Sequence, residues 1–230
     1  TAFSPNANTS TAISGRITNT YTYRVKACNG AGCGPVSAEK VINVLLPPAA
    51  PALTVPANST NGSYTVSWNT PSTTEGFQIE ESANGGAWTS VYAGAATIKA
   101  INGKATGSYR YRGRACNDAG CSPNSAEKTI SVLLPPATPS IGYSVRMKIL
   151  NPANVYCTVS WSEVANATKY ELQAYGGAIQ YSGPENGVGG MNSGTAYCAA
   201  SHVVRACNGS GCSPWSDPPF PQSQETESGT

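Results

Sequence analysis

The 230-residue sequence has little charge, a single histidine and no long apolar run. Asp, Glu, Lys and Arg make up 11% of its residues, and the formal net charge is +2. The basic residues are dispersed, so the chain lacks the electrostatic footprint that binding of nucleic acid or anionic lipid requires. No apolar stretch reaches the length of a membrane span, which argues against membrane insertion.

The scarcity of histidine limits the catalytic options. A Ser-His-Asp or Cys-His arrangement would have to use His202. Carboxylates such as Glu75, Glu80 and Asp118 are dispersed rather than paired. We therefore expect no enzymatic activity, no cofactor and no metal site.

The first residues, TAFSPNANTS, lack the basic, apolar and small-residue succession of a signal peptide. The eight cysteines nevertheless suit an oxidising compartment better than the cytosol. We therefore expect a mature secreted or cell-surface chain, or a fragment of one.

Internal repetition is the main feature of the sequence. A cysteine pair brackets a turn in KACNGAGC (26–33), RACNDAGC (114–121) and RACNGSGC (205–212). Around the first two pairs, VSAEKVINVLLPPAAP (36–51) matches NSAEKTISVLLPPATP (124–139). The period of about ninety residues is that of a small β-sandwich.

The second repeat predicts about seven short strands, because apolar and polar residues alternate along its segments. Val66 and Trp68 share one face of SYTVSW, and Phe77 and Ile79 share one face of EGFQIEES. We expect two sheets to enclose a core around the Trp68 indole.

The strand before each of the first two cysteine turns carries the motif Tyr-x-Tyr-Arg-x-x-Ala-x-Asn-x-x-Gly. Its positions are Tyr21, Tyr23, Ala27, Asn29 and Gly32 in the first repeat, and Tyr109, Tyr111, Ala115, Asn117 and Gly120 in the second. With the upstream tryptophan strand, this motif resembles the fibronectin type III (FnIII) domain. The resemblance implies an all-β chain of tandem immunoglobulin-like β-sandwiches without catalytic residues. It also implies a tyrosine corner at Tyr21 and Tyr109, where packing is joined by one hydrogen bond.

The cysteine pair on the last hairpin resembles a variant found in repeat arrays of large bacterial secreted or surface proteins. These include Rhs-type proteins and extracellular hydrolases. The resemblance therefore implies a bacterial origin and a spacer or binding role.

Comparison between the repeats predicts the domain boundaries. Residues 1–46 match only the last strands of a repeat, so the first repeat is incomplete. Residues 47–136 form a complete second repeat, 137–220 a divergent terminal repeat in which prolines replace the last strand, and 221–230 a polar tail.

The paired cysteines are candidates for a metal knuckle, a redox pair or a disulfide. Residues that flank a four-residue loop face each other across two antiparallel strands, within reach of a disulfide. A structural zinc site needs four ligands, but each turn offers only two. A redox site requires the spacing Cys-x-x-Cys at the start of a helix, and neither that spacing nor a helix is expected here. We therefore predict three hairpin disulfides, each worth about 2 to 3 kcal/mol. They are Cys28–Cys33, Cys116–Cys121 and Cys207–Cys212.

Two cysteines remain in the third repeat. Strand parity turns Cys157 and Cys198 inward, together with His202, which occupies the position of Tyr111. We predict a Cys157–Cys198 bridge between the sheets, which resembles the disulfide of immunoglobulin domains. In the chain-entropy model it would contribute about 4 kcal/mol. For His202 we predict a place in the core rather than a ligand role.

Two surface features are candidates for ligand binding. Arg110 and Arg112 form an outward row with Arg114, which could bind anionic glycans, although pairing with Glu127 and Glu80 on neighbouring strands explains the row better. Several aromatic residues are predicted to be exposed and could stack on sugars. They are Trp88, Tyr92, Tyr175, Tyr181 and Trp215.

Two classes of function follow. The first is a non-catalytic extracellular array that spaces or presents other domains, or adheres, because proline-rich LLPPAAPAL and LLPPATPSI linkers behave as semi-rigid spacers. The second is a subunit of an extracellular filament, in which the incomplete first repeat receives strands from another chain. A carbohydrate-binding module of a secreted hydrolase is a minor alternative. The expected partners are proteins, either neighbouring domains or identical subunits, and polysaccharide.

Overall fold

The computed structural model describes residues 9–144, 156–192 and 201–217. These residues form strands, turns and loops without a helix. Accordingly, the described ranges contain no helix with the length and apolarity needed to cross a membrane. The chain is all-β, as the sequence predicts, and its strands form FnIII-like β-sandwiches.

The first repeat contributes four strands within residues 9–46. They are β1 (Asn19–Tyr23), β2 (Cys28–Asn29), β3 (Gly32–Cys33) and β4 (Lys40–Val44). Strand β1 pairs antiparallel with β4, with Tyr21 opposite Ile42, and β2 pairs with β3. In this repeat the described strands thus form a two-stranded sheet and a hairpin.

The second repeat has the strand order of an FnIII-like sandwich. Its strands are β5 (Leu53–Thr54), β6 (Asn58–Ser59), β7 (Tyr64–Trp68), β8 (Gly76–Ala83), β9 (Thr89–Gly94), β10 (Ile98–Ile101), β11 (Gly107–Asn117), β12 (Gly120–Cys121) and β13 (Lys128–Val132). One sheet has the order β10-β7-β5, and the other has the order β6-β13-β11-β8-β9, with β12 paired to β11.

The third repeat follows the same plan. Its strands are β14 (Ile141–Ser144), β15 (Tyr156–Trp161), β16 (Lys169–Ala174), β17 (Ile179–Gly183), β18 (Gly187–Asn192), β19 (His202–Asn208) and β20 (Gly211–Cys212). They form the sheets β14-β15-β18 and β17-β16-β19-β20. The segment in which prolines were predicted to replace the last strand begins at Pro218 and lies outside the described residues.

A tryptophan lies in the core of each of the last two repeats. Trp68 is 5% exposed and packs edge-on against Phe77, with ring centroids 5.8 Å apart. In the third repeat Trp161 joins a buried cluster that includes Tyr170 and Leu172. The buried positions of Trp68 and Phe77 are those that alternation of apolar residues predicts.

The tyrosine corners have the expected hydrogen bond. The Tyr21 hydroxyl donates to the Ile17 carbonyl at 3.1 Å, and the Tyr109 hydroxyl donates to the Ala105 carbonyl at 3.0 Å. Each bond ties the start of the strand before the cysteine turn to the residue four positions earlier.

The segment after each cysteine turn pairs with the preceding strand through serine side chains. Ser122 donates its N–H to the Ala115 carbonyl, and its hydroxyl accepts from the Ala115 N–H. Ser125 makes the same pair of bonds with Gly113. The hydroxyls replace backbone carbonyls as acceptors, so regular pairing stops after Cys121 and resumes only at Lys128.

The chain divides into two compact units. Residues Thr1–Val55, Val66–Lys99 and Arg110–Lys128 form one unit, and residues Pro56–Thr65, Ala100–Tyr109 and Thr129–Thr230 form the other. These borders do not follow the sequence repeats. The repeat boundaries after residues 46 and 136 therefore stay predictions.

Candidate functional site

Each cysteine turn is closed by a disulfide. The bonds are Cys28–Cys33, Cys116–Cys121 and Cys207–Cys212. In all three, the paired cysteines lie directly opposite each other in the strand register, as the turn chemistry predicts. The predicted Cys157–Cys198 bridge lies outside the residues whose side chains are described and stays a prediction.

The asparagine inside each disulfide shapes the turn. The Oδ1 atoms of Asn29, Asn117 and Asn208 accept hydrogen bonds from the N–H groups two residues later, at 2.9, 2.9 and 2.8 Å. Each turn ends in a glycine with positive φ, 127° at Gly120 and 138° at Gly211, a conformation that side chains disfavour. With Oδ1 used inside the turn, Nδ2 is left to point outward as a donor.

Asn117 uses this donor to bind the linker between the first two repeats. Its Nδ2 lies 2.9 Å from the Leu46 carbonyl oxygen, and the Leu46 N–H donates to Thr18 Oγ1 at 3.0 Å. Thr18 lies in the first repeat and Asn117 in the second. Both backbone groups of one linker residue are therefore held by side chains from two successive repeats.

The same arrangement recurs at the next linker. The Leu134 N–H donates to Thr106 Oγ1 at 3.0 Å, and its carbonyl accepts from Asn208 Nδ2 at 2.9 Å. A Cβ at Gly211 would lie 3.6 Å from Pro135 Cγ, so the turn also approaches the proline closely. We call each Thr–Leu–Asn arrangement a joint: Thr18, Leu46 and Asn117 form the first, and Thr106, Leu134 and Asn208 the second.

Within the predicted ligand surface, Arg110 and Arg112 pack against the Trp88 ring. The guanidinium carbons of Arg112 and Arg110 lie 4.2 and 5.3 Å from the centroid of the Trp88 ring. Arg110 forms an ion pair with Glu127 at 3.0 Å, and Arg112 with Glu80 at 2.8 Å. The row therefore makes the cross-strand charge pairs that the register predicts.

Trp215 also packs against an arginine, Arg205, and the sequence does not predict this contact. Its ring lies 4.4 Å from the guanidinium carbon of Arg205, which donates from Nε and Nη2 to Glu171 Oε2 at 2.8 and 2.6 Å. Lys169 Nζ lies 2.7 Å from Glu171 Oε1. The hydrogen bond from Lys169 and those from Arg205 hold the pKa of Glu171 below its usual value, against the opposing effect of burial.

Two aromatics expected on the surface pack in the repeats instead. The Tyr92 ring centroid lies 5.3 Å from that of Trp68, and Tyr181 lies 5.8 Å from Trp161. Their hydroxyls accept hydrogen bonds from backbone N–H groups four residues later. The prediction that both are exposed is wrong, because each hydroxyl reaches a loop while the ring extends the core. Tyr175 is 69% exposed.

A buried acid was also missed. Glu81 is 5% exposed and accepts a hydrogen bond from the hydroxyl of Tyr111, which is fully buried. His202, at the position of Tyr111, is 1% exposed and lies in the core, as strand parity predicts.

Among the described residues, one group of side chains of the types that bind metals comes together, Glu171 with Cys207 and Cys212. The two sulfurs form a disulfide, so no thiolate is available there.

The first repeat exposes a face that is buried in the second. Ile42 is 53% exposed and Ile13 is 43% exposed. Their counterparts in the second repeat, Ile130 and Ile101, are 0% and 7% exposed. We call the face of the β1–β4 sheet that contains Tyr23 and Ile42 the open face.

No protein-family model and no curated protein matches the chain. Among solved structures, the FN1–FN3 domains of chicken CNTN1 match over 86% of this chain and 73% of that chain. The sequence identity is 20% and the TM-score is 0.35. The FnIII-like fold is therefore inferred from the strand order and from the buried tryptophan cores.

Proposed function

We propose that the chain is a non-catalytic extracellular spacer or adhesion module, in which FnIII-like repeats present neighbouring domains through fixed joints. The observation that carries this proposal is the repeated joint at Leu46 and Leu134. The three disulfides are consistent with secretion or display on a cell surface. A bacterial origin is part of the proposal and rests on the resemblance of the cysteine hairpin alone.

The energetics of a joint support this role. A net hydrogen bond contributes about 1 kcal/mol, so two bonds favour the docked linker by about 2 kcal/mol, or roughly thirtyfold. The prolines that follow each leucine restrict the linker further. A spacer needs restricted linkers, because flexible linkers would not hold the presented domains at a fixed distance and orientation.

The second joint can be tested without disturbing its turn. Asn208→Asp retains the Oδ1 acceptor for the Ser210 N–H but removes the Nδ2 donor, and Thr106→Val removes the opposite acceptor. Nitrogen-15 relaxation of the intact chain should show the second and third repeats tumbling together in the wild type and separately in the double variant. Asn186→Asp, the same substitution at an exposed residue that is not part of the joint, serves as the control. Independent tumbling in the wild type, or unchanged tumbling in the double variant, would rule out the fixed joint.

A second function is supported by the open face. We propose as an alternative that the chain is a subunit of an extracellular assembly in which another polypeptide completes the first repeat. Among the described strands β1 pairs with β4 alone, and exposed apolar side chains beside such an edge favour strand addition. Electron microscopy of purified chain at increasing concentration, together with the intact mass of the natural protein, tests this alternative. Ordered polymers would support it, and a natural chain that carries the missing strands itself would exclude it.

A further inference from the structure

The loop between β7 and β8 contains a residue with an unfavourable backbone conformation. Thr73 has a φ of 63°, which lies in the left-handed region. Glycine and asparagine enter this region readily, but a β-branched residue there is a clear outlier. Residues held in such conformations concentrate at functional sites, where the surrounding structure imposes them. The conformation of Thr73 therefore calls for a reason beyond the turn itself.

The third repeat shows what the turn requires. Thr73 lies two residues before Glu75, whose N–H donates to the carbonyl of the first hairpin cysteine at 2.9 Å. Asn166 lies two residues before Thr168, whose N–H makes the same bond in the third repeat at 2.8 Å. Asn166 therefore occupies the position of Thr73, and its φ is 64°. The turn accepts a residue type that tolerates this conformation, so the turn alone does not require a threonine.

The side chain of Thr73 makes a contact at the first joint. Thr73 is exposed, so packing in the core does not explain the residue type. Its Oγ1 lies 3.4 Å from Asn117 Nδ2, which also donates to the Leu46 carbonyl at 2.9 Å. Asn117 Oδ1 accepts from the Ala119 N–H. An amide group has two N–H donors, so both hydrogens and the oxygen of this amide have partners.

We infer that Thr73 is a positioning residue of the first joint, whose hydroxyl orients the Asn117 amide toward the Leu46 carbonyl. This inference deepens the proposed spacer function and rests on it. The two N–H bonds of a planar amide point in fixed directions, so directing one at Thr73 directs the other at the linker. The left-handed conformation places the hydroxyl beside Asn117 at the expense of the local stability of the loop.

The second joint is held without this contact. Asn208 Nδ2 donates to the Leu134 carbonyl, and within the described part of the third repeat it makes no hydrogen bond to Asn166. The first joint therefore has one side-chain contact more than the second. A hydrogen bond of 3.4 Å is long and belongs at the weak end of the usual range. We expect it to change the opening of the first joint by about two- to fivefold.

Hydrogen exchange of the Leu46 amide in the full chain measures this opening, because its N–H is bonded to Thr18 Oγ1. Thr73→Gly removes the hydroxyl and permits the left-handed φ, and should make the Leu46 amide exchange about two- to fivefold faster. Nitrogen-15 relaxation should show greater motion of the Asn117 side-chain amide in the same variant. Thr73→Ser retains the hydroxyl and should change neither measurement. Equal rates in wild type and Thr73→Gly, or equal acceleration in Thr73→Ser, would overturn the inference.

Asn117→Asp separates a failure of this inference from a failure of the joint. The variant keeps the Oδ1 acceptor of the turn but removes both N–H donors. Unchanged Leu46 exchange in Asn117→Asp would overturn the fixed joint and the inference together. Faster exchange in Asn117→Asp but not in Thr73→Gly would leave the joint standing and reject only the role of Thr73. In the double variant Thr73→Gly should add nothing, since the amide that it orients is gone, and additive effects would overturn the inference.

Two further variants test the turn and the strain separately. Asn166→Gly changes the same turn of the third repeat and should leave exchange of the Leu134 amide, which is bonded to Thr106, unchanged. Faster Leu134 exchange would show that the turn rather than the hydroxyl controls a joint, and would overturn the inference. Thr73→Asn adopts the left-handed region more readily and should slow the slowest-exchanging amides of β8 and β11. Faster exchange of those amides would overturn the assignment of strain to Thr73.

Discussion

Glu171 offers a prediction that connects a surface charge cluster to the stability of the third repeat. Its side chain is 8% exposed, whereas those of Arg205 and Lys169 are 30% and 47% exposed. Glu171→Gln keeps the shape and an acceptor oxygen but removes the negative charge. Two cations would then face each other without their shared counterion.

The partial exposure sets the size of the effect. Exposed ion pairs contribute about 0 to 1 kcal/mol, and breaking a buried pair costs about 3 to 5 kcal/mol. For a buried carboxylate with half-exposed partners we expect a loss of about 1 to 3 kcal/mol. Amides of β16 and β19 that exchange by opening of the third repeat should then exchange roughly five to 150 times faster in the variant.

The pH dependence gives an independent check. Because the folded-state pKa of Glu171 is lowered, its stabilisation is complete above its unfolded pKa, about 4.3, and is lost as the pH falls through the folded pKa. The exchange ratio between variant and wild type should therefore be constant from about pH 5 to 8, should fall as the pH drops below about 4.3, and should reach one only below the folded-state pKa.

Hydrogen exchange with mass spectrometry at pH 7 and pH 3, corrected for intrinsic rates, measures this ratio. Glu163→Gln removes a charge from an exposed position of the same repeat and should leave the exchange rates unchanged. A ratio near one at pH 7 would refute the proposed role of the cluster. A ratio at pH 3 equal to that at pH 7 would refute the assignment to the carboxylate charge.

Three further predictions concern the core and the hairpins. Ile130→Ala should destabilise the protein by about 2 to 5 kcal/mol because Ile130 is fully buried, whereas Ile42→Ala at 53% exposure should have a much smaller effect, as measured by urea unfolding. Gly113→Ala should destabilise by about 1 to 3 kcal/mol, since its Cβ would lie 2.6 Å from Ile79 Cδ1, and thermal unfolding would show no change if the core can adjust. Replacing Cys116 and Cys121 by serine should cost about 2 to 3 kcal/mol and make the hairpin susceptible to proteolysis, so equal resistance to a protease in variant and wild type would contradict a stabilising role.

Local patterns in the sequence predict the fold and the hairpin disulfides well. Alternation places Val66 and Trp68 in the core, and a four-residue loop between cysteines fixes the Cys116–Cys121 register. Both inferences depend on residues near each other in the chain or on one strand face. They are therefore accessible from a single sequence.

The joints depend on long-range contacts and were not predicted. Asn117 is 71 residues from Leu46, and Asn208 is 74 residues from Leu134. A sequence signal did exist, because Thr18 and Thr106 recur at the same place in successive repeats. Recurrence alone, however, does not distinguish a contact between repeats from a role inside each repeat.

The pairing of Trp215 with Arg205 was missed for a related reason. The second repeat has Asn124 at the position of Trp215, so comparison of the repeats offers no template for this contact. The ring packs on a guanidinium that is itself fixed by Glu171. Such a chain of contacts depends on side-chain conformations, which strand parity does not determine.

The composition of the joint has a consequence for how such a chain can grow. The second repeat carries all three kinds of joint residue: Asn117 on its cysteine hairpin, Thr106 before the strand that leads into that hairpin, and Leu134 after its final strand. A gene duplication that copies such a repeat therefore copies all the residues of a joint. The new repeat can then form a joint with the repeat from which it was copied. Insertions elsewhere in a repeat leave these parts unchanged, so repeats can diverge in length and surface while remaining interchangeable in order.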